Sequence, residues 1–209
     1  MGLAITLKTE GETASAADFL INIGTLLKSQ NKLDEAMEKF VSALRIFEKA
    51  KEDTRVASCL YNIGSVLMKQ GKLDEALEHA RKALAIRRSK LSHEHVECGE
   101  SHCLIGNILG RSEKFAEALD EYENALRIFK SVYGEMTLQA AGVYEFKAMC
   151  FFELRKWREA VTFFEATIHI RTVLLGAEDA RLVNLKAILA ATEEALCTER
   201  SSAAASERK

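Results

Sequence analysis

The stretch NIGTLLKSQNKLDEA at residues 22–36 returns at residues 62–76 as NIGSVLMKQGKLDEA, with ten of the fifteen letters unchanged. The pair belongs to a longer series. Gly24, Gly64, Gly106 and Ala148 stand 40, 42 and 42 residues apart, and Ala36, Ala76, Ala118 and Ala160 keep the same intervals. Leu33, Leu73, Phe115 and Trp157 form a bulky column three places before each alanine, and Leu44, Leu84, Leu126 and Ile168 form a fourth. Four columns locked to one period define an internal repeat. Such a chain folds as a row of similar units, each leaning on its neighbours.

The units are helical. The 209 residues contain no proline and only eleven glycines, too little turn punctuation for a sandwich or barrel. In the second unit Leu60, Ile63, Leu67 and Met68 follow the three-and-four spacing of one helix face. First helices are expected over about 17–30, 57–70, 99–112 and 141–154. Asn31 or Gly71 follows, the residue types that best take the left-handed conformation ending a helix. Asp34–Glu35 and Asp74–Glu75 then open the second helices, where acidic charge meets the positive dipole end. These continue through ALRIF (43–47), ALAIR (83–87), ALRIF (125–129) and ATIHI (166–170).

The small columns have a mechanical purpose: Gly or Ala at a crossing lets two helix axes approach, and the larger columns fill the space beside them. Each hairpin buries only part of its apolar surface, so the units stack. The expected fold is all-α, a right-handed α-solenoid of four helix-turn-helix units at 17–56, 57–98, 99–140 and 141–182. A capping helix at 182–197, with Leu182, Leu185, Leu189 and Leu196 at helical spacing, closes the last face. Residues 198–209 are expected as a disordered tail. In residues 1–16, Leu3-Ala4-Ile5 echoes Leu84-Ala85-Ile86 and reads as the end of a preceding helix. That leaves an uncapped N-terminal face, through which a self-assembling structural array is the alternative function.

Composition narrows the function. Twenty-nine basic and thirty-one acidic residues give a formal charge of −2, without the basic excess that nucleic-acid binding requires. No run of eighteen apolar residues is present, so no membrane span is expected. Five cysteines in no CxxC pair, with no export signal ahead of them, read as reduced thiols of a cytoplasmic protein. Nucleophile elbow, glycine-rich phosphate loop and HExxH are all lacking, so neither an enzyme nor a cofactor site is expected. His93, His95, Cys98, His102 and Cys103 crowd into eleven residues. A metal-dependent role at His95 and Cys98 is one reading. The spacing matches no zinc pattern, however, and a loop followed by packed helix residues, with no metal, is the other.

At its repeat columns the sequence resembles a tetratricopeptide repeat (TPR) protein. The family pairs an apolar residue with Gly in the first helix, then places Ala, an aromatic and a second Ala in the second helix. Here these are Ile23-Gly24, Ala36, Phe40 and Ala43. Ile63-Gly64, Ala76 and Ala83 follow, with Ala80 in the aromatic's place, then Ile105-Gly106, Ala118, Tyr122 and Ala125. The fourth unit departs most, with Lys147-Ala148 and Thr167, but keeps Ala160 and Phe164. The family's closing proline is absent. The 42-residue period resembles the kinesin-light-chain and nephrocystin-like branch, as do the connections at Leu91–His95 and Leu175–Asp179. The shorter first interval, KEDTRVASCLYNIG (51–64), is closer to the G-protein-regulating spindle-orientation adaptors.

The resemblance covers about residues 17–197 and implies a non-enzymatic adaptor that binds a peptide or partner helix on the concave face lined by its first helices. The family's groove positions fall here on Asn22 and Thr25, on Tyr61, Asn62, Ser65 and Lys69, on Asn107 and Arg111, and on Phe146 and Met149. Asn22 and Asn62 match a groove asparagine of kinesin-light-chain repeats, whose amide can bond both a peptide C=O and its N–H. Lys69 and Arg111 suit an acidic ligand residue, while Phe146 and Met149 suit an apolar anchor. The carboxylate clamp of chaperone-binding TPR proteins is not implied, because Ile21, Thr25, Ser65, Glu100 and Leu104 occupy its columns.

Overall fold

The computed structural model describes residues 13–206. Nine helices and no strand occur among the described residues. They are α1 (Ala14–Ser29), α2 (Leu33–Ala50), α3 (Asp53–Lys69), α4 (Leu73–Lys90), α5 (Val96–Arg111), α6 (Phe115–Tyr133), α7 (Leu138–Glu153), α8 (Trp157–Leu175) and α9 (Ala180–Ser206). The chain divides into two compact units, residues 1–111 and 112–209. In the first, α1 pairs with α2 and α3 with α4, while α2 packs on α3 and α4 on α5. In the second, α6 packs on α7, α7 pairs with α8, and α9 lies against α8.

The expected turns form. Asn31 (φ 61°) and Gly71 (φ 81°) take the left-handed conformation, and so do Glu113 (φ 60°) and Arg155 (φ 57°) at the equivalent places. Backbone bonds fold back over the first-helix ends, from Lys32 N to Leu27 O at 2.9 Å, Lys72 N to Leu67 O at 3.0 Å and Lys156 N to Phe151 O at 2.8 Å. These occupy carbonyls that a helix end otherwise leaves bare. Asp34, Glu35, Asp74, Glu75, Glu117 and Glu159 all lie in first turns of second helices.

The columns form the core. Ala36, Ala76, Ala118 and Ala160 are fully buried, with Ala148 and the glycines at 24, 64 and 106. Leu33, Leu73, Phe115 and Trp157 are half-buried and fill the space beside the turns. A further buried column went unread in the sequence: Phe47, Arg87, Phe129 and Arg171, alternately aromatic and cationic near the ends of second helices.

Three boundaries differ from expectation. First helices begin three or four residues early, at Ala14, Asp53, Val96 and Leu138 rather than 17, 57, 99 and 141. The repeat columns lie mid-helix and carry no information about the first turn. Thr13 and Thr137 cap two of these starts, accepting from Ala16 N at 3.3 Å and Ala140 N at 3.1 Å. The closing helix, placed at 182–197, spans Ala180–Ser206, so a disordered tail from 198 is corrected up to residue 206. Ala203–Ala205 are strong helix formers by residue type. Of the N-terminal segment 1–16, residues 14–16 belong to α1, and residues 1–12 lie outside the described residues.

Candidate functional site

In the first unit, α1, α3 and α5 bring eight of the expected groove residues onto neighbouring helices. Asn22 and Thr25 are exposed on α1, and Thr25 Oγ1 donates back to Ile21 O at 2.9 Å. Asn62 and Ser65, half-buried on α3, converge on a residue the sequence reading passed over. Lys28 Nζ donates to Asn62 Oδ1 at 3.0 Å and approaches Ser65 Oγ at 3.5 Å. Asn62 Nδ2 donates to Ser58 O at 3.0 Å. The Asn62 amide is therefore engaged once on each side within the protein, and one lone pair and one N–H remain beyond these two bonds. Its oxygen holds the Lys28 ammonium in place.

Lys69 and Arg111 occupy one column, and each reaches back to the end of the preceding first helix. Lys69 Nζ donates to Lys28 O at 3.4 Å, and Arg111 Nη1 donates to Met68 O at 2.6 Å. Cations are favoured at helix C-termini, where carbonyl oxygens point outward. An ammonium has three donors and a guanidinium five, so both exposed head groups keep N–H bonds for a ligand. Burial lowers the Lys28 pKa, and the neighbouring Lys69 charge lowers it further. Two cations crowd here, and an anion bound beside them would relieve the repulsion. At the N-terminal ends of the same helices, Arg55 Nη1 pairs with Asp18 Oδ1 at 3.1 Å.

Tyr61 is a wall rather than an open contact. The guanidinium carbon of Arg87 lies 4.9 Å from its ring centroid, a cation–π distance. Burial, with Glu100 adding and Arg87 opposing, pushes its phenol up to about 12. Arg87 is itself buried on α4 and donates from Nη1 to Glu97 O at 2.7 Å and Ser101 Oγ at 2.8 Å. Its Nε lies 3.1 Å from Glu97 Oε2, an ion pair without hydrogen-bond alignment. Asn107 is half-buried on α5.

In the second unit, Phe146 and Met149 on α7 are 41% and 38% exposed. Phe146 stacks on Tyr122 with ring centroids 5.8 Å apart and planes 12° apart. Beneath them Lys147, which replaces the repeat's isoleucine, is buried. It donates to Glu123 Oε2 at 2.6 Å and lies over the Phe163 ring at 4.6 Å.

The histidine and cysteine cluster is dispersed among structural contacts. His95 Nδ1 accepts from Glu97 N at 3.3 Å, Cys98 Sγ donates to Ser92 O at 3.4 Å, and His102 Nε2 faces Arg88 Nη2 at 3.0 Å. Burial, with Glu100 adding, pushes the Cys103 thiol up to about 12. Among the described residues no three His, Cys, Asp or Glu side chains are grouped to hold a metal. No helix among them is long and apolar enough to cross a membrane.

The signal that could have found Lys28 was its place on α1, one helical turn beyond Thr25 on the same side as the groove columns. Met68 occupies its column in the second unit, so the repeat comparison did not mark it.

Residues 55–131 match the tetratricopeptide repeat family. No curated protein sequence matches the chain. Among solved structures, BtubC (BKLC) from P. vanneervenii superposes with a TM-score of 0.78 at 18% identity, covering 93% of this chain and 78% of that one. A kinesin-light-chain-like protein of nearly identical TPR-like repeats from P. anserina gives a TM-score of 0.73 at 17% identity, covering 93% of both chains. At these identities the likeness is one of fold.

Proposed function

We propose, from the premise that the chain is built of tetratricopeptide repeats, that it is a non-enzymatic scaffold holding an acidic peptide or partner helix against its first helices. The observation that carries this reading is the Lys28–Asn62–Ser65 contact beside Lys69. A tethered, half-desolvated ammonium next to a second cation is costly alone and gains most from a carboxylate. Arg111 extends the charge to the end of α5. Within the second unit, taken by itself, Phe146 and Met149 offer a separate apolar surface for an aromatic or aliphatic side chain. The likeness to a kinesin-light-chain-like protein supports an adaptor role of that type. The five unpaired cysteines agree with a reducing, cytoplasmic setting.

An arrayed peptide library tests the reading, pairing sequences of two acidic residues and one aromatic with their lysine-for-acid counterparts. The acidic set is expected to bind selectively and to weaken with added salt. Lys69→Glu combined with Arg111→Glu should reduce that binding at least tenfold. Lys82→Glu on α4, an exposed residue outside the groove, should leave it unchanged. An identical binding profile for parent and groove variant would sink the proposal.

A further inference from the structure

The first unit holds a cleft of about 370 Å³ on a different face of α3 from the groove. Its floor is aliphatic. Met37, Val41 and Leu44 follow one another at spacings of four and three on α2, and Ile63 and Leu67 at four on α3. Ile63 and Leu67 are buried, while the three α2 residues stay half-buried and leave apolar surface in the opening. Arg81, Glu123 and Glu165 stand in the Val41 column of the later units. The apolar wall is therefore particular to α2 and is not a column of the repeat.

The rim accepts hydrogen bonds and barely donates them. Asp34 and Glu75 bring two carboxylates against the single ammonium of Lys72. His79 Nδ1 lies 2.9 Å from Glu75 O. A carbonyl only accepts, so Nδ1 carries the hydrogen and Nε2 of the neutral ring is an acceptor. Gln70 Nε2 donates to Asp34 Oδ1 at 2.8 Å, and its Oε1 is shielded and has no partner.

We propose that this cleft receives an arginine side chain presented by a partner protein. The aliphatic stem lies along Met37, Val41 and Leu44, and the guanidinium meets Asp34 and Glu75 at the rim. A guanidinium has five N–H donors and no acceptor, which suits a rim built of acceptors. Lysine offers three donors at one point and is more strongly hydrated, so it fits less well. A carboxylate or phosphate would meet two like charges here. The inference stands apart from the groove reading, which asks for an acidic ligand on other side chains.

Methyl resonances of the full chain test this, with an acetylated, amidated pentapeptide of one central arginine among alanines as the probe. It should shift the methyls of Met37, Val41 and Leu44. Its citrulline counterpart, of the same shape without the charge, should bind at least tenfold more weakly. Asp34→Asn combined with Glu75→Gln should weaken the arginine peptide at least tenfold, and because both acids are exposed the variant keeps its core. Val41→Arg, at a half-buried position whose α4 counterpart is already an arginine, should fill the cleft and abolish the shifts. Asp120→Asn, exposed on α6 in the second unit, should leave them unchanged. Equal binding of the arginine and citrulline peptides, shifts that survive both cleft variants, or a response confined to methyls outside the cleft would overturn the proposal.

Discussion

A Cβ on Gly24 would lie 2.8 Å from Cε1 of Phe40, so the α1–α2 crossing is set by the absence of one methyl group. Phe40 is fully buried and its ring has nowhere to swing. Gly24→Ala should therefore cost about 1–3 kcal/mol by overpacking, exceeding the ~1 kcal/mol that alanine adds to a helix. Gly142 on α7 is the counter-case. Nothing lies within 4 Å of its missing Cβ, so Gly142→Ala should gain ~0.5–1 kcal/mol. Urea unfolding midpoints of the two variants should move in opposite directions. A stabilised Gly24→Ala would show that close approach is not what this column provides.

Arg87 gathers Tyr61 from α3 and Glu97 and Ser101 from α5 around a single buried guanidinium. Arg87→Ala leaves a carbonyl and a hydroxyl without their donor and the Glu97 carboxylate without its counter-charge. Because Glu97 stays one-third exposed, the loss should be about 2–3 kcal/mol, below that for a fully buried pair. Arg87→Met keeps the apolar stem and should lose less, in keeping with the phenylalanines of the same column at 47 and 129. Denaturant titration of both variants gives the comparison, and equal losses would contradict a role for the stem.

The small columns, the turn residues Asn31 and Gly71 and the acidic first turns were legible because each follows from chemistry within one hairpin. Arg87 and Arg171 were not, since an arginine in an otherwise apolar pattern reads as surface. Its burial depends on Glu97 or Asp179, supplied by the next segment. For the same reason the groove was only partly legible. Repeat columns place Asn62, Ser65 and Lys69 on one helix face, but the register between α1 and α3 decides that Lys28 bonds the Asn62 oxygen. Left-handed Glu113 and Arg155 likewise escape reading, because neither residue type announces that conformation as glycine does.

Arg171 repeats the Arg87 solution in the second unit, donating from Nε to Asp179 Oδ2 at 2.6 Å. That bond holds the Asp179 carboxyl below its ordinary value of 3.8. A depressed carboxylate stabilises the fold at pH values above its unfolded pKa, and the contribution is lost as pH falls through the folded pKa. Acid should therefore leave this link intact down to about pH 4 and weaken it progressively below 3.8. Asp179→Asn should lower stability at neutral pH and flatten the profile below pH 4. Thermal melts of both proteins from pH 7 to pH 2 measure it, and parallel profiles would remove Asp179 as the titrating group.

The cysteines should divide sharply by reactivity. Burial, together with the carboxylate of Asp18, pushes the Cys59 thiol up to about 12, and burial with Glu100 does the same for Cys103. Cys150 is pushed to about 11, and burial also raises Cys98. Only the thiolate attacks an alkylating reagent, so these four should be nearly inert at pH 8 while the fold holds. Cys197, exposed on α9, should take up one equivalent of iodoacetamide within minutes, and the other four should follow only in denaturant. Mass spectrometry of the native protein over an hour reads the outcome. Early modification of Cys59, which packs with Ala43 and Phe47, would mean that the α2–α3 packing opens far more often than its burial implies.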